Sequence, residues 1–211
     1  MNSSGPEKWV KVLWEDVIKE TKKIVKKDNR VVSVGSGWGE HEKSLSNTIK
    51  LPFSWYCVDP NPRSFKPNPP PTEKCILPMF ANVSSLSKKD PTLKRNCAMT
   101  IFWPSPSGFF ETEETHNYDL NAIADLEPTK VLIVYDVSGA AGSSALHEWL
   151  QTSVEGINDL YKGFTEWHVP SVGQKRKISP TYKVENVKSH VTHTLMGDLK
   201  LCLLLLNRKD D

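Results

Sequence analysis

From residue 6 to 27, apolar positions recur at three- and four-residue spacing: Val10, Leu13, Trp14, Val17, Thr21, Ile24 and Val25, with charges between them. That period marks one face of a helix, and Pro6 suits its first turn. The pattern then changes to short continuous apolar runs. "RVVSVG" (30–35) predicts a buried strand, "GEHEKSLSNTI" (39–49) a helix, and "SWYCVDP" (54–60) a second strand stopped by Pro60. The segment 60–73 holds six prolines between residues 60 and 71. It predicts a stiff loop of polyproline II character that covers a sheet edge or serves as a docking peptide.

Further along, "KCILPMF" (74–80) predicts a third strand that Pro78 confines to an edge or bulge. "CAMTIFWPSP" (97–106) predicts a fourth, followed by an acidic loop with Glu111, Glu113, Glu114 and Asp119. A helix over 118–128, a fifth strand over 130–139 and a helix over 143–161 come next. "GFTEWHVPSV" (163–172) and "LKLCLLLLNRK" (199–209) are expected to pair as a late hairpin across a basic polar connection. Strands alternating with helices imply a mostly parallel sheet covered on both faces, a three-layer α/β sandwich. The closing pair, without a helix between, implies one antiparallel strand at the C-terminal end. No repeat or boundary divides the chain, so residues 1–211 are expected to form one domain. Residues 1–28 would be an N-terminal amphipathic helix packed on its core.

Composition adds a class and few partners. With 38% hydrophobic and 25% charged residues and a mean hydropathy of −0.44, the chain has a globular profile. A formal charge of +2 identifies no ligand. Local clusters say more: Lys19, Lys22, Lys23, Lys26 and Lys27 complement the dipole of the first helix and can touch phosphate. Lys175, Arg176 and Lys177, with Lys183 and Lys188 downstream, form a second basic run. Together they suggest an RNA- or DNA-facing rim, beside the plainer reading of two solvated surfaces; a protein partner is the other class kept open. Cys57, Cys75, Cys97 and Cys202 lack metal-like spacing and read as reduced thiols. The first residues carry no apolar leader, and no stretch reaches the roughly 18 apolar residues of a membrane span. A cytoplasmic or nuclear location without membrane contact is the expectation.

The candidate chemistry begins at "VVSVGSGWGE" (31–40), where Gly35, Gly37 and Gly39 alternate with Ser36 and Trp38 between a strand and a helix. Glycines allow close backbone approach to a ligand, and the helix start offers free N–H groups. Asp59, 20 residues beyond Gly39, ends the second strand, where a carboxylate can accept two ribose hydroxyls. The G-x-G-x-x-G dinucleotide pattern would need glycine at position 40, which is Glu40. The spacing here is G-x-G-x-G.

That spacing, with the acid at the next strand end, resembles motifs I and II of the class I S-adenosylmethionine-dependent methyltransferases. The terminal antiparallel pair is similar to that family's last two strands. The resemblance spans about residues 30 to 208 in element order, and its specific motifs occupy two short stretches. It implies a Rossmann-like, seven-stranded, mostly parallel sheet with S-adenosylmethionine across the C-terminal ends of its first strands. Gly35, Ser36 and Gly37 would approach the methionine part, Asp59 the ribose, and Asn61 or Asn82 the adenine, with Gly39 completing the turn. "FWPSP" would face the methyl donor. The sequence departs from the family where Ser33 replaces the acid that often stands two residues before the first glycine, leaving Glu42 or Glu40 to compensate. The fourth-strand amino-methylation motif is only echoed by Trp103, Pro104, Ser105 and Pro106, so adenine-N6 methylation of DNA is not supported. The lysine–aspartate–lysine–glutamate set of cap ribose methyltransferases is not found, and the proline-rich loop stands where a helix usually joins strands two and three.

Methyl transfer asks the protein to position a nucleophile and, where needed, remove a proton. Asp136, near the end of the fifth strand, is the candidate base or substrate-orienting residue, and equally a cap for the following turn. Trp103 is the candidate aromatic at the substrate mouth. His41 follows the glycine turn, near the ligand or in a surface helical turn. His190 and His193 lack a completing acid or cysteine, so no metal is expected. The expected function is S-adenosylmethionine-dependent methyl transfer to an unidentified acceptor, nucleic acid preferred. The alternatives are a catalytically inactive methyltransferase-like scaffold, which Ser33 favours, and a nicotinamide-dependent oxidoreductase, which Glu40 disfavours.

Overall fold

The computed structural model describes residues 7–25, 30–37, 39–50, 54–59, 79–80, 82–104, 117–139, 141–162, 176–194 and 197–209. The proline-rich loop 60–73 with Asn61, as well as Trp38, Cys75, Lys26, Lys27, Lys175 and the segment 163–172, lie outside them. The chain runs α1 (Glu7–Ile24), β1 (Arg30–Val34), α2 (Glu40–Ile49), β2 (Ser54–Val58), β3 (Met79–Phe80) and α3 (Val83–Lys89). After a 3-10 turn at Pro91–Leu93 follow β4 (Cys97–Phe102), α4 (Tyr118–Leu126), β5 (Lys130–Asp136) and α5 (Ser144–Ser153). β6 (Val154–Glu155), α6 (Asn158–Tyr161), β7 (Tyr182–Thr194) and β8 (Gly197–Arg208) complete it.

One sheet has the order β3-β2-β1-β4-β5-β8-β7-β6. Without the two-residue β6 it is the expected seven-stranded sheet. β1 pairs in parallel with β2 and β4, and β4 with β5. β8 is antiparallel to both β5 and β7. Strand alternation divides the core into two layers. Val31, Leu132, Val134, Leu201, Leu203 and Leu205 face Leu13, Val17 and Ile24 of α1 and Leu45 of α2. Val32, Met99, Ile133, Tyr135 and Leu204 face Leu86, Leu120, Ile123, Leu146 and Leu160 of α3 to α6. This is the three-layer sandwich the alternation predicted.

Three differences have physical causes. The helix expected over 143–161 is divided because Gly156 takes φ +85 between β6 and α6. Among the described residues the hairpin partner of β8 is β7, which comes from the polar connection. Its exposed Lys188 and His190 carry no strand-like apolar alternation, yet β7 registers with β8 from Tyr182–Arg208 to Thr194–Gly197. α3 has no counterpart in the sequence pattern; Asn82 caps it, its Oδ1 accepting the Ser85 N–H at 2.8 Å. Cys57, Cys97 and Cys202 are buried free thiols, and burial pushes those of Cys97 and Cys202 up to about 12.

Candidate functional site

Because β1 connects to β2 on one side and pairs with β4 on the other, the sheet reverses its winding beside β1. Open parallel sheets bind ligands at such a point, outside the C-terminal strand ends. The turn after β1 lies there. Gly35 N–H and Ser36 N–H donate to Val58 O of β2 at 2.8 and 3.4 Å, and Gly39 N–H donates to Ser36 O at 2.8 Å. The loop is therefore held to the end of β2, where Asp59 is buried and its Oδ2 accepts Gly37 N–H at 2.7 Å. Gly35, Gly37 and Gly39 all adopt left-handed backbone, with φ 71, 56 and 73.

The first two glycines have different surroundings. A Cβ built at Gly35 would stand 2.7 Å from the Tyr118 hydroxyl, so that phenol packs on the turn. A Cβ at Gly37 would meet no atom of the described residues within 4 Å. Tyr118 escaped the sequence reading because it is distant in the chain, in a helix start marked only by its apolar period. It is fixed by its neighbour Asp119, whose carboxylate accepts Ser143 Oγ and N–H at 2.6 and 2.8 Å and Leu120 N–H at 2.7 Å. Burial raises the Asp119 carboxyl above its ordinary value despite those donors. The bonds join the starts of α4 and α5 beside the strand ends.

Ser33, at the position of the missing acid, is buried and donates its hydroxyl to Glu42 Oε1 at 2.5 Å. The acid that comes to this strand end is thus Glu42 from α2; Glu40 is exposed. Burial pushes the Glu42 carboxyl up to about 7, and the nearby Asp59 charge adds to the rise against the Ser33 hydrogen bond. Two buried polar atoms here, Ser36 Oγ and Glu42 Oε2, have no hydrogen-bond partner among the described residues. Buried polar groups without partners are costly. Open space over Gly37, an approachable backbone and unsatisfied polar atoms fit a polar nucleoside-bearing cofactor in this cradle.

At the end of β4, Trp103 has φ 52, is half-buried between both core layers, and donates its backbone N–H to Val134 O at 2.8 Å. Left-handed backbone in a bulky aromatic is costly and often marks a functional position. Asp136, at the end of β5, is buried and accepts the Ser138 hydroxyl, the turn-capping contact anticipated for it. Asn82 is exposed beyond β3 with its side chain engaged at the α3 start. His41 packs on Trp14 of α1, ring centroids 5.9 Å apart, and burial lowers its pKa.

The basic residues divide. Arg176 pairs with Asp125 of α4, and Lys177 is exposed. Lys188 shares a sheet face with Asn186, whose Nδ2 donates to Glu20 Oε1 of α1 at 2.8 Å. The exposed Lys22 and Lys23 of α1 belong to that side. Among the described residues no group of three His, Cys, Asp or Glu side chains is gathered for a metal, and no helix is long and apolar enough to cross a membrane.

Known structures share this architecture. PH1948 from Pyrococcus horikoshii, a candidate RNA methyltransferase by name, is similar at 9% identity over 97% of this chain and 85% of that one, with a TM-score of 0.50. TrmK of M. capricolum, solved with the cofactor product S-adenosyl-homocysteine, has 10% identity over 92% of this chain and 68% of that one, with a TM-score of 0.46. PH0226 from P. horikoshii OT3 has 14% identity over 99% and 93%, with a TM-score of 0.47. No protein-family model matches the chain, and no curated protein matches its sequence. By its strand order and its likeness to PH1948, the chain has the Rossmann-like fold of the class I S-adenosylmethionine-dependent methyltransferases, in a divergent form.

Proposed function

We propose that the protein is an S-adenosylmethionine-dependent methyltransferase, with nucleic acid as the preferred class of acceptor. The observation that carries the cofactor reading is the cradle after β1: open space over Gly37 beside the unsatisfied Ser36 Oγ and Glu42 Oε2. In this reading the backbone of Gly35, Ser36, Gly37 and Gly39 holds the amino-acid side of the ligand. Asp59, already fixed by Gly37 N–H, holds the ribose, with Asn61 or Asn82 at the adenine. The cofactor, when bound, supplies an electrophilic methyl group for an in-line displacement.

The chain's part is to orient the acceptor and exclude water. Trp103 offers an aromatic face where β4 ends, and Asp136 orders the turn after β5 or accepts the acceptor's proton. The β7–β8 hairpin adds a wall. β5 pairs with β8 only as far as Leu201, whereas β7 and β8 stay paired to Thr194 and Gly197, so the hairpin runs past the strand end that carries Asp136. Lys188 on β7 would give that wall a phosphate contact; the lysines at the end of α1, where that helix leads into the start of β1, and Arg176 and Lys177 beyond α4 are further basic patches. PH1948's name favours RNA. The test is transfer of a labelled methyl group to fractionated RNA, DNA and protein. Label in RNA supports the preferred acceptor; label in protein alone moves it to the polypeptide class. Cofactor binding without transfer to any fraction supports the inactive-scaffold reading.

A further inference from the structure

Glu42 keeps a carboxylate where packing alone would favour a leucine. It is 1% exposed. Oε1 is occupied by the Ser33 hydroxyl, while Oε2 finds no donor among the described residues. Leaving such an oxygen dry and unpaired opposes folding. The groups facing it are Ser33 of β1 and Asp59 after β2, with Glu40, His41 and Lys43 beside it on α2. Asp59 is an acid, and His41 is turned onto Trp14 of α1. Among the described residues no cation is one of the groups acting on the Glu42 carboxyl. Ser36 Oγ, on the glycine turn, is a second buried polar atom without a partner among the described residues.

We propose that Glu42 is the carboxylate that receives the ammonium group of the bound cofactor's amino-acid arm, delivered from helix α2 instead of from the end of β1. The inference rests on the cofactor reading above. It carries a consequence for pH. Burial, with a smaller contribution from the Asp59 charge, pushes the Glu42 carboxyl up to about 7 in the protein alone, so the group holds a proton at mildly acidic pH. An arriving ammonium favours the ionised form and expels that proton. Affinity for an ammonium-bearing ligand therefore falls as pH drops below about 7, approaching tenfold per unit.

The test compares S-adenosylhomocysteine with 5′-methylthioadenosine, which keeps the nucleoside and thioether and lacks the amino-acid arm. Calorimetry from pH 6 to 8 on wild type, Glu42→Gln and Asp59→Asn reads both. Glu42→Gln is expected to weaken S-adenosylhomocysteine about ten- to a hundredfold, the worth of a charged hydrogen bond. It should leave 5′-methylthioadenosine within about twofold and flatten the pH slope. Asp59→Asn should weaken both ligands. In wild type, titrations in buffers of different ionisation heat should show close to one proton released at pH 6 with S-adenosylhomocysteine and none with 5′-methylthioadenosine. That measurement stands even where Glu42→Gln fails to fold. Equal affinity and equal slope in Glu42→Gln, or no proton release in wild type, overturns the role of Glu42 alone. If wild type binds neither ligand, the cofactor reading falls and takes this inference with it.

Discussion

Replacing Gly37 by alanine separates the ligand from the scaffold, because Gly35 beside it provides the opposite case. Both residues have positive φ, 56 and 71. Alanine in that conformation costs about 1–2 kcal/mol, and the stiffer unfolded chain returns about 0.4–1 kcal/mol. For Gly37→Ala the described residues add no further term, since the new methyl meets none of their atoms within 4 Å. The net loss is about 1 kcal/mol, or about 2–4 °C in Tm for a chain of this size. At Gly35 the methyl stands 2.7 Å from the Tyr118 hydroxyl, and forcing a packed ring aside adds about 1–3 kcal/mol. Ligand binding should rank differently: the methyl at Gly37 enters the open cradle, and the same overpacking cost corresponds to about ten- to a hundredfold in Kd for S-adenosylhomocysteine. Scanning calorimetry and titration calorimetry read the two effects. Adding Tyr118→Ala to Gly35→Ala should recover the steric part of its loss, and adding it to Gly37→Ala should recover nothing. If Gly37→Ala binds the ligand as wild type does, the space over Gly37 is not where the ligand sits. If its Tm falls as far as that of Gly35→Ala, the reasoning about Tyr118 fails.

Three further outcomes follow from the buried acids. Glu42 has a folded carboxyl pKa raised from 4.5 to about 7, so between those values the folded state holds a proton that the unfolded state has lost. Stability should fall by up to about 3 kcal/mol as pH rises through that window, and urea midpoints of Glu42→Gln should lack that fall. Asp119→Ala strips the acceptor from Ser143 and Leu120 N–H groups, and urea denaturation should show a loss of about 2–5 kcal/mol. Asp136→Asn should lower kcat for labelled methyl transfer about a hundredfold, with the Kd of S-adenosylhomocysteine within about twofold; an unchanged kcat leaves Asp136 as a turn cap alone.

Strands buried on both faces were easy to read. β1, β4 and β5 are continuous apolar runs bounded by glycine or proline, and the structure begins and ends them within a few residues of expectation. β7 was hidden because much of its length lies exposed, so its polar residues reflect solvent and not pairing; only β8's hydrophobic run identifies its place. The glycine turn and Asp59 were visible as a spacing. The compensating role of Glu42 had only a hint, since a helical acid near a glycine turn looks the same whether it points outward or, as here, inward to Ser33. Tyr118 had no local signal: its contact with Gly35 depends on how α4 is anchored through Asp119 and Ser143. Long-range approaches of this kind are set by packing between layers and leave no periodic trace.

The central claim is that the cradle after β1 binds a sulfur-linked nucleoside and not a dinucleotide. Titration calorimetry of the wild-type protein with S-adenosylhomocysteine and, in parallel, NAD tests it most directly. The account predicts one-to-one binding of S-adenosylhomocysteine with a Kd of about 1–100 μM, near −8 to −5 kcal/mol, and no heat from NAD. It is contradicted if S-adenosylhomocysteine gives no binding at high micromolar concentration, or if NAD binds more tightly.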